Sequence, residues 1–126
     1  MPILRDFERR LGSLVEGSFA RAFRGGVQPV ELAKRVLREM DAGKTIGVSE
    51  LWAPNHFEFS LSPADAEHLG QAEQVLATEL GRVVRQEAYE RGWGLVGPPE
   101  IVFSIDDLRV PARPKPRRSD GGRGGS

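Results

Sequence analysis

The chain has 126 residues, which fits one domain and lets it bury enough surface to need no cross-link. Apolar residues make up 39% and charged residues 29%, an ordinary balance for a soluble globular protein. Cysteine is absent, which excludes disulfides, thiolate metal sites and cysteine nucleophiles, and no apolar run approaches the roughly 20 residues of a membrane span.

The formal net charge of zero hides a division. Residues 1–44 hold nine Lys and Arg against six Asp and Glu, residues 45–108 three against eleven, and residues 109–126 six against one. A weakly basic region, an acidic region and a basic tail suggest charged partners, or a tail that folds back on its own domain. The N-terminus, MPILRDFERR, sets acids and arginines where a signal peptide would have its apolar core. The expected location is therefore the cytoplasm.

Leu4, Phe7, Leu11, Val15, Phe19 and Phe23 recur at spacings of three and four, which predicts an amphipathic helix over residues 3–23. Gly12 and Gly17 weaken it, and Gly25 and Gly26 are expected to end it. A second helix is predicted from Pro29, since proline suits the first helical position. Its apolar stripe is Val30, Ala33, Val36, Leu37 and Met40. Lys34, Arg35 and Arg38 make a basic opposite face, and DAGK at 41–44 ends it.

TIGVSELW at 45–52 reads as a strand, APN as a turn, and HFEFSLS at 56–62 as a second strand with Phe57, Phe59 and Leu61 on one face. The two are expected to pair as an antiparallel hairpin. In SPAD, Ser62 as N-cap, Pro63 and Asp65 form the strongest helix start in the chain. This third helix carries Leu69, Ala72, Leu76, Leu80, Val83 or Val84, and Ala88. It runs to about Arg91, where Gly92 and Gly94 end it. After VGPPE, the run IVFSID at 101–106 is a third strand. The order α-α-β-β-α-β predicts an α+β two-layer sandwich: a small mixed or antiparallel three-stranded sheet with helices on one face. Residues 1–108 form this domain. Residues 109–126, all but devoid of large apolar side chains and rich in Pro, Gly and Arg, are expected to be a disordered tail or linker.

No catalytic constellation emerges. His56 and His68 are the only histidines, with no HxxxH or HxH partner, so surface histidines are expected rather than metal ligands. The nucleophile-elbow motif GxSxG is absent, and the acids have no pairing suited to two-carboxylate chemistry. The pair Gly25-Gly26 lacks the lysine and hydroxyl of a phosphate-binding P-loop and the spacing of a dinucleotide fingerprint. A KH domain clamps nucleic-acid backbone with a GxxG loop between helices. Here the loop reads GGVQ without a basic residue, and residues 1–108 hold 12 Lys and Arg against 17 Asp and Glu. A nucleic-acid binder wants the opposite balance. The glycines are expected simply to turn the chain between two packed helices. The arginines of the first helix invite a peripheral membrane reading, but Asp6, Glu8 and Glu16 dilute their charge.

FERRL (7–11), VEG (15–17), GGVQPVELA (25–33), REMD (38–41), APN (53–55), LSPAD (61–65) and VGPPE (96–100) together resemble the N-terminal domain of actinobacterial FhaA proteins. The resemblance covers residues 1 to about 108. In that family a domain of unknown function precedes a long Gly/Pro/Arg-rich linker and a forkhead-associated domain. The resemblance implies protein partners tied to Ser/Thr kinases, cell-wall synthesis and division, with recruitment to the inner face of the membrane or septum. Phosphothreonine reading belongs to the forkhead-associated domain, which is absent here, so no residue of this chain inherits it. The expected function is a non-catalytic interaction or scaffold domain without cofactor or metal. Its candidate partner contacts are Lys34, Arg35, Arg38, Trp52 and Trp93; tryptophan is enriched at binding hot spots. The alternative is a KH-like domain binding nucleic acid through the helix–Gly-Gly–helix segment.

Overall fold

The computed structural model describes residues 2–14 and 26–106. Helix α1 spans Pro2–Leu14 and helix α2 spans Pro29–Ala42. The expectations for Val15, Gly17, Phe19, Phe23 and Gly25, and for the tail, lie outside the described residues. In α1, Ile3, Phe7 and Leu11 are buried at four-residue spacing, with Leu4 packed beside them. In α2, Ala33, Val36, Leu37 and Met40 are buried. Gln28 precedes Pro29 without a side-chain cap, and Gly43 ends the helix by donating to Glu39 O.

Two short strands follow: β1 at Thr45–Ile46 and β2 at Leu51–Ala53. They pair antiparallel around a turn in which the Gly47 N–H donates to Glu50 O at 2.8 Å. Strand β3 spans His56–Leu61, with Phe57, Phe59 and Leu61 buried and His56, Glu58 and Ser60 exposed. Helix α3 spans Pro63–Leu69; Ser62 caps it by accepting from the Asp65 N–H at 3.0 Å. Helix α4 spans Ala72–Arg91, β4 spans Gly94–Leu95 and β5 spans Glu100–Ile105.

The predicted α+β class and element order hold, with two refinements. The third helix is two helices, because Gly70 takes a positive φ of 52° that a helix cannot pass through. The antiparallel hairpin joining 45–52 to 56–62 does not form. The reversal comes earlier, at residues 47–50, and β2 and β3 then run on in one direction. Strand β2 pairs parallel with β4, completing a mixed three-stranded sheet in the order β1-β2-β4. Strand β3 pairs parallel with β5, from His56 opposite Glu100 to Leu61 opposite Ile105.

The two ladders meet at Asn55. Its carbonyl accepts the Glu100 N–H at 2.7 Å, and its Nδ2 donates to Pro98 O at 2.9 Å. On the inner face Phe59 and Phe103 stack with centroids 5.6 Å apart. The helices cover that face: α1 and α2 pack on each other and on α4, and α4 packs on β5. At the far end of α4, Gly92 at φ 73° closes a Schellman-type cap, with Trp93 N–H donating to Ala88 O at 2.9 Å.

Candidate protein-interaction surfaces

Lys34, Arg35 and Arg38 lie on the solvent side of α2, as the periodicity predicts. Their charge is less open than the sequence suggests. Lys34 Nζ is 3.6 Å from Glu31, and Arg35 Nε donates to Glu39 at 2.8 Å while its guanidinium lies 5.1 Å from the Phe59 ring centre. Arg38 is exposed and makes no ion pair among the described residues. The helix thus neutralises two of its three cations through its own i,i+3 and i,i+4 acids.

The two tryptophans fall on opposite faces of the small sheet. Trp93 packs against the core, flanked by Lys44 Nζ at 5.6 Å and the Arg91 guanidinium at 5.5 Å from its ring centre. Lys44 is itself tied to Asp41 at 2.9 Å, an ion pair that holds the Asp41 carboxyl below its ordinary pKa. Trp52 lies on the outer face, 37% exposed. Its indole lies over Gly47 and Gly94, where a β-carbon on Gly94 would meet the ring at 2.8 Å. The glycines form the bed on which the ring lies. The Glu50 carboxylate lies beside it, since the same β-carbon on Gly94 would meet Glu50 Oε2 at 2.8 Å. Of the exposed apolar residues nearby in sequence, Ile46 pairs with Leu51 and so faces the other side of the sheet. Strand periodicity alone did not reveal this glycine-bedded ring, because β1 and β2 are too short to show alternation.

Gly26, the described member of the Gly25-Gly26 pair, faces α3: a β-carbon there would lie 3.1 Å from the Asp65 carboxylate oxygens. A carboxylate at this spot repels a phosphate, which is the wrong environment for a nucleic-acid clamp.

Sequence reasoning missed the second basic surface. Glu79 and Glu87 on α4 are buried, each only 3% exposed. Glu79 accepts from Arg10 Nε at 2.9 Å and lies 3.3 Å from Arg82 Nε, joining α1 to α4. The pairing holds the Arg10 guanidinium above its ordinary pKa. Arg82 and Arg85 overlook a groove of about 670 Å³ between α4 and β5, walled by Ala77, Thr78, Gly81, Pro99 and Ile101. On their other side Arg9, Arg10 and the exposed Tyr89 line a shallower depression. No sequence signal pairs Arg10 with Arg82, since they are brought together only by helix packing.

His56 and His68 are both exposed. His56 bonds Glu100 through Nδ1 at 2.9 Å and Glu58 through Nε2 at 3.3 Å. These two bonds, Glu100's first, raise its pKa above the ordinary histidine value against a small desolvation. No group of three or more metal-ligating side chains gathers among the described residues. Nor is any described helix long and apolar enough to cross a membrane.

Comparison with known proteins agrees with this arrangement. The chain is 29% identical over 102 residues to the FHA domain-containing protein FhaA of Mycobacterium tuberculosis, covering 80% of this chain and 19% of that protein. The chain thus spans about a fifth of that relative's length. The solved structure described as Rv0020c_Nter is similar at a TM-score of 0.59 and 29% identity, over 73% of this chain and 71% of that one. The family described as "FhaA, N-terminal domain" matches residues 4–109, almost all of the described fold, and the chain belongs to it.

Proposed function

We propose that this is a non-catalytic protein-interaction domain that places Ser/Thr-kinase signalling proteins or proteins of cell-wall synthesis and division, at the inner face of the membrane or septum. Membership of the FhaA N-terminal family supports the signalling context, since the matched relative is named for its forkhead-associated domain. The observation that carries the reading is Trp52. A large, partly exposed aromatic ring laid on two glycines, with the Glu50 carboxylate beside it, is a rigid anchor of the kind that dominates interfaces. Arg38, open on α2, adds a charge at the rim, and Lys34 and Arg35 steer weakly because their own acids screen them. Trp93 supports this surface from the core side rather than touching the partner.

The test is affinity capture from an actinobacterial lysate with the immobilised full chain, followed by the same capture with Trp52→Ala. The expected result is a discrete partner set that Trp52→Ala loses while its melting temperature stays within a few degrees. An unchanged set after Trp52→Ala, or no specific partner at all, overturns the reading.

A further inference from the structure

Strand β5 has β3 on one side and, among the described residues, no strand on the other. The Glu100 N–H donates to Asn55 O and the Asp106 N–H to Leu61 O, both at 2.7 Å. Backbone groups alternate sides along a strand, so those of Val102 and Ser104 also address β3. The N–H and C=O groups of Ile101, Phe103 and Ile105 therefore face the open edge. Such a row is a template for another strand. Within the strand itself some of the devices that protect an edge are missing: β5 reads EIVFSI, with no proline, glycine or lysine.

The edge borders the groove described above. Its helical wall presents small side chains, Ala77, Thr78 and Gly81, which leave room for a backbone; a β-carbon on Gly81 would meet only Pro99, at 3.8 Å. Above them stand Arg82 and Arg85. Arg85 makes no ion pair among the described residues. Arg82 shares Glu79 with Arg10, so that one buried carboxylate is opposed by two guanidinium groups. The one acid among the described residues that line the groove, Glu100, is held by His56 at 2.9 Å.

We infer that this groove docks an extended acidic segment of a protein partner, added as a strand beside β5, with its carboxylates on Arg82 and Arg85. Main-chain bonds supply the affinity and the arginines the selectivity, as in other strand-addition complexes. The inference rests on the interaction reading but concerns a surface separate from Trp52. The chain's own C-terminal segment is poorly suited. Residues 109–126 hold six Lys and Arg against one acid, which Arg82 and Arg85 repel. Pro111, Pro114 and Pro116 also lack the N–H that a ladder needs.

The experiment is an amide-resolved NMR titration of the full chain with a capped peptide alternating valine and glutamate over about eight residues, a usual strand length. Three probes run beside it: the same peptide with lysine for glutamate, the same peptide with alternate amides N-methylated, and an oligouridine. The expected result is shifts at Ile101, Phe103, Ile105 and residues 77–85, with slowed exchange at the three edge amides. The acidic peptide alone produces them. Arg82→Glu with Arg85→Glu, and separately Gly81→Leu, weaken binding by about tenfold or more, while Trp52→Ala leaves it unchanged. The exposed arginine pair carries the test should Gly81→Leu fail to fold.

Silent edge amides overturn the inference, and so does equal binding of the lysine or N-methylated peptide. It also falls if oligouridine shifts these amides, or if they shift with protein concentration alone, which marks a second copy on the edge. A partner captured through Trp52 in a chain whose groove binds no acidic peptide leaves the interaction reading standing and removes only this site.

Discussion

A charged His56 ring donates from both nitrogens, and both face carboxylates: Glu100 at 2.9 Å and Glu58 at 3.3 Å. Its folded pKa is therefore raised above the ordinary value of about 6.5. A raised pKa contributes stability that is full below the ordinary value and is lost as pH climbs through the folded one. We expect a small fall in melting temperature as pH rises from about 6.5 through the raised value. His56→Gln should remove that step, and calorimetry across the window checks it. Glu79 matters more. It is buried, with Arg10 and Arg82 as partners, and Glu79→Ala should cost about 1–3 kcal/mol in urea unfolding. Asp6→Ala, which breaks the exposed pair with Arg9, should cost at most about 1 kcal/mol. The histidines' surface position was legible in the want of any HxxxH or HxH partner. Glu79's role was not, because its partner Arg10 is 69 positions away and only the packing of α1 on α4 selects it.

Among the elements, two glycines predict opposite outcomes. In the middle of α4, Gly81 has room for a β-carbon, 3.8 Å from Pro99. Gly81→Ala should stabilise the chain by about 0.5–1 kcal/mol, through helix propensity and a less flexible unfolded state. Gly94 in β4 has no such room, since a β-carbon would meet the Trp52 ring at 2.8 Å. Gly94→Ala should lift the indole off the sheet, red-shift the tryptophan emission and destabilise the fold by about 1 kcal/mol or more. Local chemistry made some elements plain in the sequence. Pro29 and the Ser62-Pro63-Asp65 start mark helices that begin where expected, and the Phe57-Phe59-Leu61 alternation gives the buried face of β3. The break at Gly70 was hidden, because a single glycine inside an apolar-periodic run reads as a tolerated weakness until its φ is known.

For the whole molecule, strand partnership was the least legible feature. Alternation says which face of β3 is buried but not which strand lies beside it. The pairing of β3 with β5 spans helices α3 and α4, a choice made by helix packing rather than by a local turn. Charge distribution offers a further prediction at this scale. Residues 45–108 hold three Lys and Arg against eleven acids, and residues 109–126 hold six against one. Tethering can keep a segment at millimolar effective concentration, while exposed pairs are worth at most about 1 kcal/mol and are screened by salt. The expectation is a loose contact with exposed acids away from the arginine-lined groove, Glu58 among them. Amide shifts of residues 45–106 should then differ between the full chain and one ending at residue 108 at low salt, and converge at high salt. Identical spectra at low salt would refute it.

Asn55 has a consequence for how this family can vary. Ahead of it Trp52 faces Gly94, and beyond it His56 faces Glu100, so one course of chain has gained two residues on the other between the two ladders. The slack is taken up at residues 96–99 and fastened by one side-chain amide. Each ladder therefore keeps its own count. Sequence lost or gained at this joint leaves inward residues inward on both sides, and it is here that relatives of different length are expected to differ without exchanging core for surface.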